Sequence, residues 1–105
     1  GIAGAGAWLN GNPIKASKIA TKQEAILFTG FPANTDFSSN ALKSYVQQVQ
    51  SFKKVRSIGS AALSLAYVAA GRGEAYFERD IMVWDVAAGL AILLSGVVTL
   101  RAARV

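Results

Sequence analysis

Gly71-Arg72-Gly73-Glu74-Ala75-Tyr76-Phe77-Glu78-Arg79-Asp80-Ile81-Met82-Val83-Trp84-Asp85-Val86-Ala87-Ala88-Gly89 is the stretch whose reading decides the fold. It opens on a two-glycine turn, rises into a short apolar strand at Ala75, Tyr76 and Phe77, and ends that strand on an acid, Glu78. A loop then leads to Trp84-Asp85, where a long apolar helix begins. An acid closing a strand and a second acid opening a helix, seven positions later, both fall at the carboxyl edge of an open sheet. Open α/β sheets take their ligands at that edge.

Outward from this stretch the same alternation repeats. Upstream, Val55 to Ile58 reads as a strand, Gly59-Ser60 as a turn, and Ala61 to Ala70 as a helix that Gly71 terminates. That helix is apolar nearly all round, so it should be sandwiched between layers. Earlier still, Glu24 to Thr29 is a short apolar run fit for a buried parallel strand. It stops at Gly30-Phe31-Pro32, and a polar stretch follows in which Asp36 or Ser38 can cap a helix. In Leu42 to Phe52, Leu42, Tyr45, Val46, Val49 and Phe52 fall three and four apart and make a single apolar stripe. Downstream of the opening stretch, the helix should run from Trp84 to Ser95 and Val97 to Leu100 should form a last strand. Alternating strands and helices predict a layered α/β/α domain with a largely parallel sheet.

The amino-terminal segment differs. Asn10-Gly11 suits both centres of a tight hairpin turn, with Asn12 to Ser17 as the returning strand and Pro13 at its start. The reading divides the chain into 1–22, a hairpin and linker from the end of an amino-terminal domain, and 23–105, an incomplete carboxyl-terminal α/β domain. The chain starts without Met and ends without an evident stop, and it reads as a piece of a longer protein.

Bulk composition narrows the classes. With 105 residues the chain is one small domain that buries roughly two-thirds of its unfolded surface. Hydrophobic residues make up 52% and charged residues 16%, which excludes a disordered chain. The apolar runs Ile58 to Ala70 and Val86 to Val98 are each about 13 residues, where a bilayer span takes about 20. They are core helices, and no membrane association is expected. The net charge of +5 is scattered, and its only cluster, Lys53-Lys54-Val55-Arg56, is a weak nucleic-acid signal beside the dipole's ordinary preference for cations at a helix end. The absence of Cys and His excludes a zinc site of the usual kind. It is also compatible with a reducing, cytoplasmic location.

Trp84-Asp85-Val86-Ala87-Ala88-Gly89, preceded by Glu78 and by Gly59-Ser60-Ala61-Ala62-Leu63, resembles the carboxyl-terminal half of the inositol monophosphatase family. These are magnesium-dependent phosphomonoesterases of a sugar-phosphatase-like fold, and the resemblance runs from the opening glycines to about Gly96. It implies a parent enzyme hydrolysing inositol phosphate or a related sugar phosphate, and a homodimer. By the resemblance, Asp85 is a Mg2+ ligand that also helps orient the nucleophilic water, and the small residues after it let the helix approach the sheet. Glu78 corresponds to a glutamate that accepts hydrogen bonds from substrate hydroxyls. Gly59, Ser60 and Ala61, with Gly30 and Phe31 on a neighbouring turn, correspond to substrate contacts, and Arg56 to either a substrate or a subunit contact.

Each residue also has a structural reading. Asp85 can simply cap a helix or sit against its dipole; Glu78 can pair with Arg79 or Arg72 at the surface; any strand-to-helix turn can look like Gly59-Ser60-Ala61. The family's remaining ligands, a glutamate on an earlier helix and an Asp-Pro-x-Asp-Gly-Thr stretch, do not occur in these residues. At the far end the chain has Ser95-Gly96-Val97-Val98 where the family has Glu-Ala-Gly-Gly. The alternatives to an inositol phosphatase are a fructose-bisphosphatase, a 3'-phosphonucleotide phosphatase, or a catalytically silent α/β binding or assembly module.

Overall fold

A computed structural model describes residues 1–30, 38–78 and 81–95. Phe31, Asp36, Arg79 and the strand expected at Val97 to Leu100 lie outside the described residues. The elements are strands β1 (Trp8–Leu9), β2 (Asn12–Pro13) and β3 (Ile26–Thr29), helix α1 (Ser39–Val49), strand β4 (Lys54–Ser57), helix α2 (Ala61–Ala69), strand β5 (Ala75–Phe77) and helix α3 (Val83–Ser95).

The hairpin forms where Asn10-Gly11 predicts it. Both residues have positive φ, 52° and 82°, as the tight turn between twisted antiparallel strands requires. Its ladder is shorter than expected, pairing Trp8 with Pro13 and Leu9 with Asn12; the missing Pro13 N–H costs this ladder nothing, because Trp8 and Pro13 are a non-hydrogen-bonded pair. The Ile14 N–H still reaches the Ala7 carbonyl at 3.0 Å. Beyond it, the Ile14 side chain packs against the core described next.

Strands β3, β4 and β5 make a parallel sheet in the order β4-β3-β5. The register places Thr29 beside Ser57 on one side and Phe77 on the other. The crossover β3-α1-β4 therefore moves one way across the sheet and β4-α2-β5 moves back. Crossovers of the usual right-handed sense that move in opposite directions put their helices on opposite faces. On the α2 face, Phe28, Leu65, Val68, Ala69 and Leu93 form the core, with Tyr76, Val86 and Leu90 packed against it. Leu27 alternates to the other face and is 2% exposed there.

Helix α2 is bounded as the sequence predicts. The Ser60 hydroxyl accepts from the Leu63 N–H at 3.1 Å and caps its start. At its end Gly71 has φ +78° and closes a pair of bonds, Arg72 N–H to Tyr67 carbonyl and Gly71 N–H to Val68 carbonyl, that only a left-handed residue allows. The sandwich is incomplete: Ser64, Leu65, Val68 and Ala69 are buried, but Ala62 and Leu63 are exposed.

Helix α1 begins three residues before Leu42 and ends at Val49. Its cap is Ser38, whose side chain accepts from the Ala41 N–H. It stops early because the Lys53 N–H is drawn to the Ala25 carbonyl at 3.0 Å as the chain turns into β4. Of its apolar stripe Val49 is buried, whereas Leu42 and Val46 are exposed. Helix α3 begins at Val83 and packs against α2. Its small residues do not bring it to the sheet: Ala87 and Ala88 are exposed, and buried Gly89 faces Leu65 of α2. Trp84, at 75% exposure, and Val83 and Leu94 lie on the uncovered side of α3. No helix among the described residues is long and apolar enough to cross a membrane.

Candidate functional site at the carboxyl edge of the sheet

Beyond Thr29 and Phe77 the next residues in register are Gly30 and Glu78. The Thr29 hydroxyl donates to the Phe77 carbonyl at 2.6 Å and staples the two strand ends together. A Cβ at Gly30 would stand 2.6 Å from Glu78 Oε1, so the glycine is what leaves room for the carboxylate. The chain leaves β3 for α1 on one face and leaves β5 for α3 on the other. Gly30 and Glu78 therefore occupy a switch point of the sheet, the place where open α/β sheets form a ligand crevice.

Of the two arginines that could pair with Glu78, Arg79 lies outside the described residues. Arg72 lies over the ring of Tyr67, 5.3 Å from its centre. Among the described residues, Tyr76 is a partner of Glu78: its hydroxyl donates to Oε1 at 3.1 Å. Burial, the charge of Glu78 with the hydrogen bond to it, and the charge of Asp85 together hold the Tyr76 phenol far above its ordinary value of 10.0. Sequence reading treated Tyr76 only as a strand residue. The signal was available, because residues two apart on a strand share a face.

Asp85 is the third residue of α3, in its first turn and exposed, with its N–H bonded to the Met82 carbonyl at 3.0 Å. Its negative charge is favoured there by the helix dipole, as the structural reading holds. Its field is nonetheless felt at the Tyr76 hydroxyl.

Gly59, Ser60 and Ala61 follow β4 on the other side of β3. Gly59 has φ +83°, which a side chain would strain, and a Cβ there would meet nothing within 4 Å. The Ser60 hydroxyl is taken by its capping bond. That bond also takes the Leu63 N–H, so of the first helical N–H groups those of Ala61 and Ala62 have no intrahelical acceptor and face outward at the helix start. Gly30 and Glu78 are in contact; the Gly59 turn is at the same edge, one strand over; Arg56 is exposed on β4. The other acid on β5's approach, Glu74, is structural: its Oε1 accepts from the Ile26 N–H at 2.7 Å.

A hard divalent cation takes carboxylate and water oxygens in near-octahedral array. The exposed carboxylate of Asp85 has that chemistry, but among the described residues no three Asp, Glu, His or Cys side chains lie close enough to hold a metal ion.

The sequence model of the inositol monophosphatase family matches residues 1–102. The chain is 43% identical over 91 residues to a protein named Nus factor SuhB from Xylella fastidiosa, covering 86% of this chain and 33% of that one. It is 37% identical over 90 residues to a fructose-1,6-bisphosphatase/inositol-1-monophosphatase from Thermotoga maritima, covering 86% and 33%. The solved inositol monophosphatase from Anabaena superposes with a TM-score of 0.76 at 40% identity, over 86% of this chain and 38% of that one. The chain thus spans about a third of the length of the curated relatives it matches.

Proposed function

This chain belongs to the inositol monophosphatase family, and from that premise we propose that the full-length protein is a magnesium-dependent phosphomonoesterase acting on inositol phosphate or a related sugar phosphate. The observation that carries the proposal is the Glu78 carboxylate, bonded by the Tyr76 hydroxyl and seated against Gly30 at the switch point of the sheet. In this reading Asp85 contributes one carboxylate to the magnesium site, the other donors coming from outside these residues. Magnesium, when bound, lowers the pKa of a coordinated water and neutralises charge on the phosphoryl group and the departing oxygen.

The chain's own residues do the rest. Asp85 accepts a hydrogen bond from the attacking water and holds it in line with the phosphorus. Glu78 accepts from a hydroxyl of the polyol on the leaving-group side, so it sets specificity. Gly30, with Gly59, Ser60 and Ala61, forms the wall against which the ring lies, and the same resemblance assigns a substrate contact to Phe31, which is outside the described residues. The outward N–H groups at the start of α2 suit an anion or a hydroxyl oxygen.

A second reading follows from the relative named Nus factor, a name for a factor and not for an enzyme: a binding or assembly module without turnover. Phosphate release by the full-length protein separates the two. The enzymatic reading expects release from inositol 1-phosphate, or from fructose 1,6-bisphosphate, that stops on chelation and returns with magnesium. Absence of turnover on both esters at saturating magnesium selects the second reading.

A further inference from the structure

What aims the Glu78 carboxylate follows from the packing of β5, and the inference rests on the proposed reading of Glu78 as the acceptor for a substrate hydroxyl. Tyr76 and Glu78 leave the same face of the strand. On that face the Tyr76 ring packs against the core of Phe28, Leu65 and Leu93, so its hydroxyl has a fixed position. It donates to Glu78 Oε1 at 3.1 Å, and the same oxygen rests against Gly30, where a Cβ would stand 2.6 Å away. Both contacts fall on Oε1.

We propose that Tyr76 is the positioning residue for Glu78: the phenol hydroxyl and the bare Cα of Gly30 hold Oε1, and Oε2 is turned toward the substrate hydroxyl before it binds. A long glutamate side chain held by nothing would lose its rotamer freedom only on binding, and fixing it beforehand removes that cost. Tyr76 touches neither the phosphoryl group nor the water. Its contribution is to ground-state and transition-state binding alike, so it appears in KM and not in kcat.

The test uses the full-length enzyme with two esters, inositol 1-phosphate and phenyl phosphate, the second lacking the hydroxyls. Tyr76→Phe should raise KM for inositol 1-phosphate about threefold to tenfold with kcat nearly unchanged, the range expected for one lost orienting hydrogen bond. Phenyl phosphate turnover and the magnesium requirement should stay as in the wild type. Combined with Glu78→Gln, Tyr76→Phe should add nothing further, because the two act as a unit. Should Tyr76→Phe fail to fold, Tyr76→Leu decides, since it also removes the hydroxyl while leaving an apolar side chain against the core, and it should show the same selective rise. The inference is overturned if Glu78→Gln is selective for inositol 1-phosphate while Tyr76→Phe, or Tyr76→Leu in its place, is not. If Glu78→Gln loses activity equally on both esters, the reading of Glu78 falls, and the inference falls with it.

Discussion

Replacing Gly89 by Ala sets two physical effects of opposite sign against each other. On helix propensity alone, Ala in the middle of α3 should stabilise by about 1 kcal/mol. Against this, the new Cβ would stand 2.6 Å from Leu65 Cβ and 2.8 Å from Leu65 Cδ1. Leu65 is buried in the core, and its Cβ is fixed to the α2 backbone, so a rotamer change cannot clear the clash. Helix α3 must lift off α2, by roughly 1 Å to restore an ordinary carbon–carbon contact of about 3.5 to 4 Å. Overpacking of this kind costs about 1 to 3 kcal/mol, and a clash with a backbone-anchored atom belongs at the upper end. The net expectation is a loss of about 1 to 2 kcal/mol after the propensity gain is subtracted. Asp85, one turn earlier on the same helix, would move with it, and a displacement near 1 Å can cost about a hundredfold in rate. Urea unfolding of the full-length protein, wild type against Gly89→Ala, reads the first effect, and kcat on inositol 1-phosphate reads the second. A variant as stable as the wild type or more so would refute the close approach of α3 to α2.

Two further outcomes are expected. At Gly73 an added Cβ would clash with Cε2 and Cζ of the Phe28 ring, a core residue, so Gly73→Ala should destabilise by about 3 kcal/mol or more and depress the thermal midpoint further than Gly89→Ala. The raised Tyr76 pKa gives a pH dependence with a definite sign: the folded state holds the phenol proton to higher pH than the unfolded state does, so its contribution is complete below pH 10 and is lost as pH rises above it. Stability measured from pH 9 upward should therefore fall less steeply in Tyr76→Phe than in the wild type, and equal slopes would show that the phenol is unperturbed.

The parts of the fold that were legible in the sequence are those set by local chemistry. Asn10-Gly11 fixed the hairpin because few residue pairs accept positive φ twice in succession. Ser60 and Gly71 bounded α2 because a cap hydroxyl and a left-handed terminator act on their own neighbours. Ser38, one of the two caps the sequence offered, starts α1 on the same local logic, whereas the apolar stripe from Leu42 does not show where the helix ends, since of it Val49 is buried and Leu42 and Val46 are exposed. Which helix Gly89 approaches depends on Leu65, 24 positions earlier in the chain. No local rule carries that pairing. Glu78 and Asp85 stood out by residue type and by resemblance, but the phenol that bonds Glu78 became visible only with the geometry of β5 in hand.

The division of labour between Asp85 as a metal residue and Glu78 as a specificity residue is tested most directly by the magnesium dependence of phosphate release from inositol 1-phosphate, measured for full-length Asp85→Asn and Glu78→Gln. Asp85→Asn keeps the shape of the side chain but removes its charge, and should raise the magnesium concentration for half-maximal activity and lower kcat severely. Glu78→Gln should keep the wild-type magnesium requirement while losing about tenfold to a hundredfold in kcat/KM, the worth of one charged hydrogen bond. An unchanged magnesium requirement in Asp85→Asn, or an equal rise in both variants, would contradict the account.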